Sequence, residues 1–408
     1  MRENDKGLNK DFHKKYDKKP AAKAPEGTKC PYAGKCGGCS LSGIAYDSQL
    51  HEKQRYMEKL LGTFCSVDQI VGMDDPLHYR CKLHRAFGYD RKRGTRSGIY
   101  AEGTHKIVEI ENCMIEDRRS QEIIAFIKEL ARSFKYKAYD EDNGRGLLRH
   151  ILIRRAANTG EIMVVLVLTS NIMPGKNNFV RVLTRKYPEI KTIVLNVNDS
   201  DTNMILGRSE QTIFGPGFIR DSLCGCSFRI SADSFYQVNP VQAEKLYETA
   251  ISFAGLSGKE MIIDAYCGTG TIGLVALKKA KSLIGIELNK DAVRDARLNA
   301  MENGLGNARF YLGDSGSCLT EMAEEGLKAD VLFMDPPRTG STEQFIEAAA
   351  AVRPSRIVYI SCGPQSLARD LRSFTEHGYK VRKIQPFDMF PATSHGETVC
   401  LMSRVEGK

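Results

Sequence analysis

The hydrophobic pattern of the chain changes near residue 230. Beyond that point, short apolar runs at 261–264, 331–334 and 357–360 alternate with stretches of helical periodicity. Runs that are apolar at every position are typical of parallel strands covered on both faces, with helices as crossovers between them. The pattern therefore predicts a doubly wound, mostly parallel α/β sheet, closed by an antiparallel pair at 379–390 and 397–405.

Strand patterns also dominate the middle of the chain. They lie at 86–110, where a hairpin with a basic tip is predicted, and at 147–156, 161–170, 191–198 and 211–215. Together with a helix predicted at 119–134, they indicate an α+β domain with a mainly antiparallel sheet. An amphipathic helix is predicted at 44–62, and we expect it to pack on the C-terminal domain.

Three regions are therefore expected. Residues 1–29 are polar and lysine-rich and are predicted to be a disordered basic tail. Residues 30–229 form the α+β domain, and residues 230–408 form the catalytic domain.

Composition narrows the class of protein. The chain has 408 residues and a net charge of +9, which is consistent with a polyanionic partner. It contains no apolar run near the roughly 20 residues that a membrane span requires, and no hydrophobic signal core, so a cytoplasmic location without membrane contact is predicted. Twelve cysteines in such a chain indicate free thiols, metal ligands or catalysis rather than a disulfide framework.

A glycine-rich turn follows the first apolar strand of the C-terminal region. Gly268, Gly270 and Gly273 precede a helical pattern, and a second strand ends in Glu287. Glycines let the backbone approach a nucleotide closely, and an acid at the end of the second strand accepts hydrogen bonds from a ribose diol. The turn therefore predicts a Rossmann-like cofactor site, although such a turn also occurs as a purely structural element.

Three cysteines near the start of the α+β region have a ligand-like spacing. Cys30, Cys36 and Cys39 form a C-x5-C-x2-C pattern with glycines between them. Iron–sulfur clusters and structural zinc both take four thiolates, and the spacing alone does not separate the two. The candidates for the fourth ligand are Cys65, Cys81 and Cys113.

Basic residues concentrate at two places in the α+β region. They lie at 91–96 in the hairpin tip and at 145–155, close to aromatic residues such as Tyr89 and Tyr100. Basic strands with nearby aromatic side chains suit RNA phosphates and stacked bases. A solvated strand face is the alternative interpretation of any single arginine.

Candidate catalytic side chains follow the strands of the predicted parallel sheet. Asp335 comes directly after one strand and Cys362 after the next, so both are expected in the ligand crevice. A helix begins just after Cys362, and its dipole is predicted to depress the thiol pKa. Glu397 precedes the final strand as a candidate general base, with His395 as the weaker candidate.

Taken together, these motifs resemble the RNA (uracil-5-)-methyltransferase family from Cys30 to the C-terminus. They read CPYAGKCGGC, SFYQVN, DAYCGTGTIGL, DPPRTG, YISCGPQSLARDL and FPATSHGETVCLM. The family makes 5-methyluridine in RNA with S-adenosylmethionine, and the resemblance implies this activity and a Rossmann-like methyltransferase domain.

The resemblance also implies a role for individual residues. Cys362 would add to carbon 6 of uracil, carbon 5 would take the methyl group, and Glu397 would remove the carbon-5 proton. Tyr266 and Thr271 stand where relatives often carry Phe and Asn. The positions that match the family's cofactor contacts, including the glycine turn, are Gln237, Tyr266, Gly268, Gly270, Thr271, Glu287, Asp314 and Asp335.

The cysteines match a branch of the family that carries a 4Fe-4S cluster. In that branch Cys30, Cys36, Cys39 and Cys113 would be the ligands, and Cys81 would be a bystander. The expected partner is RNA, with 23S ribosomal RNA favoured and tRNA as the alternative, and the protein is expected to be a monomer. A non-catalytic RNA-binding protein with the same fold is the alternative from another class, and the presence of both Cys362 and Glu397 argues against it.

Overall fold

The computed structural model describes residues 30–405, except 91, 93, 142, 201 and 203. The predicted tail at 1–29 lies outside the described residues, as do Arg91 and Arg93 of the basic hairpin tip.

The first sheet is built from seven strands in the order β3-β2-β1-β4-β5-β6-β7. All neighbours are antiparallel except β5 and β6, which are parallel. This is the mainly antiparallel sheet that the strand pattern predicts. The strands are β1 (Lys82–Asp90), β2 (Gly94–Tyr100), β3 (Ile107–Glu109), β4 (Leu148–Arg155), β5 (Ile162–Leu168), β6 (Ile190–Val197) and β7 (Ser209–Phe214).

A short hairpin leads from the first sheet to the second. It consists of β8 (Ile219–Leu223) and β9 (Cys226–Ile230). The second sheet follows, with the strands β10 (Met261–Ala265), β11 (Ser282–Glu287), β12 (Ala308–Leu312), β13 (Val331–Met334), β14 (Arg356–Ser361), β15 (Tyr379–Phe387) and β16 (Glu397–Arg404).

The second sheet has the doubly wound arrangement that the apolar runs predict. Its order is β12-β11-β10-β13-β14-β16-β15. The first five strands of this order are parallel, and β16 runs antiparallel to both β14 and β15. The order reverses its direction between β10 and β13, and ligands bind at such a switch point, beyond the carboxyl ends of the strands.

Nine helices lie in the described part of the chain. They are α1 (Tyr46–Leu61), α2 (Arg118–Ser133), α3 (Lys176–Lys186), α4 (Pro240–Ala254), α5 (Thr271–Leu277), α6 (Lys290–Glu302), α7 (Ser315–Glu324), α8 (Glu343–Ala351) and α9 (Pro364–Glu376). None of them is long and apolar enough to cross a membrane.

The two sheets share one apolar core. α2 and α3 cover one face of the first sheet. The other face packs through Leu152 and Val165 into a core that also holds Phe228 of β9, Leu246 of α4 and Val358 of β14. The first sheet is therefore held against the second by continuous apolar packing.

α1 packs on the second sheet, although it precedes the first sheet in the chain. Its Met57 and Leu61 lie in the core on the far face of the second sheet. The chain that follows forms parallel bridges from Val67 to Ile384 and from Val71 to Phe387 of β15. The segment 46–71 thus wraps the edge of the sheet that carries the candidate site.

Candidate active site

The candidate catalytic residues converge at the edge of the second sheet formed by the carboxyl ends of β13 and β14, beside the switch point. Asp335 follows β13, Cys362 follows β14, and Glu397 begins β16. Ser361 pairs with Thr398 across the antiparallel β14–β16 ladder, which brings the residues after Ser361 and before Thr398 to the same edge. Strand pairing therefore brings together three side chains that are far apart in sequence.

Glu397 lies in an acidic and poorly solvated environment. It is buried, and its Oε2 has no hydrogen-bond partner among the described residues. Burial raises the pKa of Glu397 to about 8, the charge of Asp335 adds to the rise, and Arg338 opposes it. Burial likewise raises the pKa of Asp335 to about 7. A carboxylate with a pKa near neutrality is suited to proton transfer.

The pKa of Cys362 is raised, so the sequence-based prediction of a depressed pKa is wrong. Burial, followed by the charges of Glu397 and Asp335, raises the pKa of the thiol to about 11, and Arg338 lowers it. Gly363 caps α9 directly after Cys362, as expected. A helix dipole contributes a partial charge, and here desolvation and two nearby carboxylates outweigh it.

The glycine-rich turn opens onto free space. Gly268 has φ +54°, and a Cβ placed on it would meet nothing within 4 Å. Its amide donates to Oε2 of Glu287 (3.0 Å), and the amide of Asn289 donates to Oε1 (2.7 Å). Each oxygen of Glu287 retains capacity to accept a further hydrogen bond, as a ribose diol would require. Gly270, at φ +82°, caps α5 at the same turn.

Asp264 supports the glycine-rich turn through a hydrogen bond to its backbone. It ends the apolar part of β10, is 1% exposed, and accepts a hydrogen bond from the amide of Gly273 at Oδ2 (2.8 Å). Its Oδ1 has no partner among the described residues. Burial raises the pKa of Asp264 to about 8, and the charges of Asp335 and Glu287 contribute to the rise.

Tyr247 connects two of the predicted cofactor residues. This fully buried side chain on α4 shares a hydrogen bond with Thr271 (3.3 Å between the oxygens), and Gln237 lies near enough to lower its pKa. The charges of Asp335 and Glu397 raise its pKa further above the value that burial sets. Gln237 and Thr271 are therefore placed next to the carboxylates by one tyrosine.

Tyr266 and Asp314 lie at the outer side of the turn. Tyr266 adopts φ +65°, which is unusual for a residue other than glycine; burial raises the pKa of its hydroxyl, and the nearby Ser341 opposes the rise. Asp314 accepts from the amide of Ser317 and caps α7. Asp314 comes shortly after β12. The amide of the preceding residue, Gly313, donates to the backbone oxygen of Glu287 (3.0 Å), and this bond holds Asp314 near the end of β11.

The residues of this crevice fit S-adenosylmethionine. Burial raises the pKa of Asp264, Asp335 and Glu397, the charge of Asp335 adds to the rise at the other two, and Arg338 opposes the rise at Glu397. Two of the three have an oxygen without a partner. A sulfonium and an ammonium group would offset this buried negative charge, since an opposite charge favours the ionised form of a carboxyl group.

Sequence reasoning missed three residues of the site. Asp264 could have been found, because it stands at the end of the first strand as Asp335 does at the end of another. Arg338 lies in the quoted DPPRTG motif but had no role assigned to it. Tyr247 had no local signal, since it occupies an ordinary apolar position on a helix.

The four predicted cluster cysteines lie together. Cys30, Cys36, Cys39 and Cys113 line one cavity of about 760 Å³. Burial raises the pKa of Cys39 to about 12, with added contributions from the charges of the other three cysteines. The hydroxyl of Tyr32 accepts from the amides of Glu111 (2.9 Å) and Asn112 (3.3 Å), which ties the N-terminal loop to the chain before Cys113.

The other two candidates for the fourth ligand lie elsewhere. Burial raises the pKa of Cys81, with Asp117 contributing, and its Sγ contacts the backbone oxygen of Tyr79 (3.6 Å). Cys65 lies near the buried Cys400 of β16, where its charge adds to the rise that burial causes in the pKa of Cys400. Of the three candidates, Cys113 is thus the one in the group.

The spacing of the four sulfurs is wider than one ion requires. Among the described residues, no three of these sulfurs lie mutually within 4.8 Å; the group that meets this spacing is Glu343, Glu347 and His377. A single zinc ion with four thiolates at about 2.3 Å would hold each pair of sulfurs about 3.8 Å apart.

The basic cluster at 145–155 has a structural role at three of its positions. Arg149 is buried and donates to the backbone oxygen of Asn198 (2.9 Å). Arg154 is buried and donates to the backbone oxygen of Ser234 (2.5 Å). Arg155 forms an ion pair with Asp117 (3.2 Å). The interpretation of Arg149 and Arg154 as RNA contacts is therefore corrected, since the pattern of charges alone did not reveal their burial or their partners, whereas for the half-buried Arg155 it stays a prediction.

Comparisons with known proteins identify similar molecules. The sequence profile of the family described as tRNA (Uracil-5-)-methyltransferase matches residues 45–405. An uncharacterised RNA methyltransferase of Clostridium acetobutylicum is 40% identical over 384 residues, which cover 92% of this chain and 83% of that protein. One of Listeria monocytogenes is 41% identical over 377 residues, which cover 91% and 83%.

A solved structure is similar over nearly the same length. It is the Pyrococcus abyssi tRNA (uracil-54, C5)-methyltransferase in complex with S-adenosyl-L-homocysteine. The TM-score is 0.77 at 28% sequence identity, and the match covers 90% of this chain and 86% of that chain.

Proposed function

The chain belongs to the tRNA (uracil-5-)-methyltransferase family and is an S-adenosylmethionine-dependent RNA uracil-5 methyltransferase; we propose that it acts through a covalent bond between Cys362 and uracil. The observation that carries this proposal is the convergence of Cys362, Asp335 and Glu397 at one edge of the second sheet. There the charges of Glu397 and Asp335 raise the pKa of Cys362, and the charge of Asp335 raises that of Glu397.

Covalent activation follows from the chemistry of uracil, whose carbon 5 is a poor nucleophile. The Cys362 thiolate adds to carbon 6, and the electron pair of the 5,6 double bond is displaced toward the O4 carbonyl. The resulting enolate makes carbon 5 nucleophilic. Cys362 must lose its proton before this attack, and the positive charge of Arg338 favours the thiolate.

Glu397 acts after methylation. Its carboxylate takes the proton from carbon 5, the 5,6 double bond re-forms, and the Cys362 sulfur leaves with the electron pair of the carbon–sulfur bond. Burial and the neighbouring Asp335 make Glu397 a stronger base than an exposed glutamate.

S-adenosylmethionine, when bound, supplies the electrophilic methyl group. Gly268 leaves room for the cofactor to approach the backbone, Gly270 holds a left-handed conformation at the same turn, and Glu287 would accept hydrogen bonds from the ribose. Asp335 acts on both Cys362 and Glu397 and would contact the reacting end, Asp264 lies beneath the turn, and the other proposed contacts are Gln237, Tyr266, Thr271 and Asp314.

RNA that contains 5-fluorouridine tests the covalent step. Fluorine at carbon 5 leaves no removable proton, so the reaction should stop at a protein–RNA adduct that survives denaturation. We expect the wild-type protein to form this adduct in the presence of S-adenosylmethionine and Cys362→Ala to form none. An adduct that persists in Cys362→Ala would contradict the proposal.

We also propose that Cys30, Cys36, Cys39 and Cys113 hold a 4Fe-4S cluster. Support comes from their common cavity and from sulfur spacings wider than a zinc site requires. The cluster would bind the N-terminal loop to the chain after β3, within an iron–sulfur and RNA-binding domain at 30–229 that precedes a catalytic domain at 230–408.

The substrate that we propose is a uridine of 23S ribosomal RNA, bound by a monomer. The resemblance to the cluster-bearing branch supports this choice. The second candidate is a tRNA uridine, and the observation in its favour is the similarity to the Pyrococcus abyssi enzyme, which acts on uracil 54 of tRNA.

A further inference from the structure

The segment 388–396 joins β15 to β16 and ends immediately before Glu397. Glu397 has an unpartnered Oε2 in the described structure. No hydrogen bond at that oxygen therefore orients the carboxylate, and its position depends on how the backbone enters β16. The contacts of the segment 388–396 consequently bear on where the carboxylate lies.

Two polar side chains of α1 hold this segment. Lys53 donates from Nζ to Oδ1 of Asp388 (2.6 Å) and to the backbone oxygen of Phe390 (3.3 Å). The amide of Ala392 donates to Oε1 of Gln49 (2.8 Å). Lys53 and Asp388 are 1% and 0% exposed, so this ion pair lies wholly inside the protein.

The buried ion pair is not explained by the packing of α1. Met57 and Leu61 already dock the helix on the sheet through apolar contacts. Removing two charges from water is costly, and a well-packed apolar pair is often as stable, whereas a buried pair can specify one geometry. The pair between Lys53 and Asp388 is suited to setting the position of the segment 388–396.

The backbone of the segment also requires external support. Ala392 has φ +68°, a conformation that residues other than glycine keep only when their surroundings enforce it. The amide of Leu41 donates to the backbone oxygen of Ala392 (2.9 Å), opposite the bond to Gln49. Next to Glu397, Gly396 packs against Met57 of α1, whose Cε lies 3.1 Å from the position of an added Cβ.

We propose that Lys53 and Gln49 are positioning residues for Glu397: α1 clamps the segment 388–396 and thereby places the carboxylate for proton removal. This inference rests on the proposed role of Glu397 as the base. Neither residue touches the reacting atoms, so their loss should affect the proton-removal step and leave the earlier attack by Cys362 in place.

The test separates attack from elimination with ordinary uridine RNA. In single-turnover reactions, the protein–RNA adduct is measured on denaturing gels and released 5-methyluridine by mass spectrometry. We expect Lys53→Met to accumulate adduct, with release slowed about 10- to 100-fold relative to attack, the scale associated with a misplacement of about 1 Å. Gln49→Ala, which removes one acceptor and no charge, should shift the ratio in the same direction by less.

Gln54→Ala is the matched control on the same helix. Gln54 is also buried, but it accepts from the amide of Ile70 (2.8 Å) and donates to the backbone oxygen of Asp68 (3.3 Å), and it makes no hydrogen bond to the segment 388–396 among the described residues. It should lower the melting temperature and keep the wild-type ratio of release to attack. Rates are compared per folded molecule, from circular dichroism at the assay temperature.

Glu397→Gln separates a failure of the positioning role of Lys53 and Gln49 from a failure of the role of Glu397 as the base. One outcome is that Glu397→Gln accumulates adduct while both Lys53→Met and Gln49→Ala keep the wild-type ratio of release to attack. That result would overturn the positioning role of α1 and leave Glu397 as the base. If Glu397→Gln releases product normally, the proposed function of Glu397 fails. If Lys53→Met does not fold, the ratio in Gln49→Ala decides, and a ratio equal to that of Gln54→Ala overturns the inference.

Discussion

Cys362, the proposed nucleophile, lies in an environment that favours its neutral thiol. The carboxylates that raise its pKa are those that the proposed later steps and the cationic cofactor would use. Buried negative charge favours the removal of a proton and the binding of a cation, whereas it disfavours the formation of a thiolate. Arg338, which favours ionisation of both Cys362 and Glu397, partly reconciles these demands.

Alkylation of Cys362 should therefore depend steeply on pH. The thiol has a pKa of about 11, so the thiolate fraction and the rate of reaction with iodoacetamide should rise about tenfold per pH unit from pH 7 to 9. The measurement follows the peptide that contains Cys362 by mass spectrometry. Asp335→Asn removes a like charge and should speed the reaction, whereas Asp314→Asn should not. A rate already constant at pH 7 would contradict this picture.

The carboxylates also predict a pH-dependent preference for the charged cofactor. Asp335 has a pKa of about 7, and Asp264 and Glu397 have pKa values of about 8. These groups are largely neutral below their pKa values and negative above them, so attraction for a sulfonium grows as pH rises from 6.5 to 8.5. Titration calorimetry should show S-adenosylmethionine gaining affinity relative to S-adenosylhomocysteine, which lacks the charge. A constant affinity ratio would show that these carboxylates do not interact with the sulfonium.

At the scale of elements, the cysteine loop and the chain after β3 form one unit. Cys113→Ser should lose iron from anaerobically purified protein, which should otherwise contain about four irons per chain. Cys81→Ser should keep its iron, because Cys81 lies outside the group. Iron and sulfide analysis checks both variants. Zinc in place of iron, or iron loss confined to Cys81→Ser, would overturn the assignment of the ligands.

The elements that the sequence predicted well are those with a local signal. The strand, glycine turn and second strand from Met261 to Glu287 are contiguous, and their periodicity and spacing fall within one supersecondary unit. The pKa of Cys362 was mispredicted because the largest cause of its rise, burial of the thiol, depends on the folded molecule, and the charges of Glu397 and Asp335 add to it. The burial of Arg149 and Arg154 was missed for the same reason, since their partners are backbone oxygens of distant loops.

At the scale of the whole molecule, the proposed RNA-binding and catalytic regions are coupled by shared packing. The core that joins the first sheet to the second is continuous, and Arg154 of β4 donates to Ser234 in the loop that leads to Gln237. α1 in turn reaches from the cysteine loop to the segment before Glu397. The first sheet and α1 are thus connected to the loop before Gln237 and to the segment before Glu397, at the two ends of the catalytic site. An RNA that contacts the first sheet would therefore lie on a surface that is connected to both.

Which RNA the protein modifies depends on the whole of that surface. The substrate can be identified in cells. In a strain that lacks this protein, mass spectrometry should show loss of 5-methyluridine from at least one position of 23S ribosomal RNA, with tRNA unchanged. Expression of the wild-type chain should restore the modification, and Cys362→Ala, which keeps the RNA-binding surface, should not. Loss from tRNA alone would transfer the assignment to the second candidate. Loss from neither RNA would refute both substrate proposals without affecting the test of covalent chemistry on fluorouridine RNA.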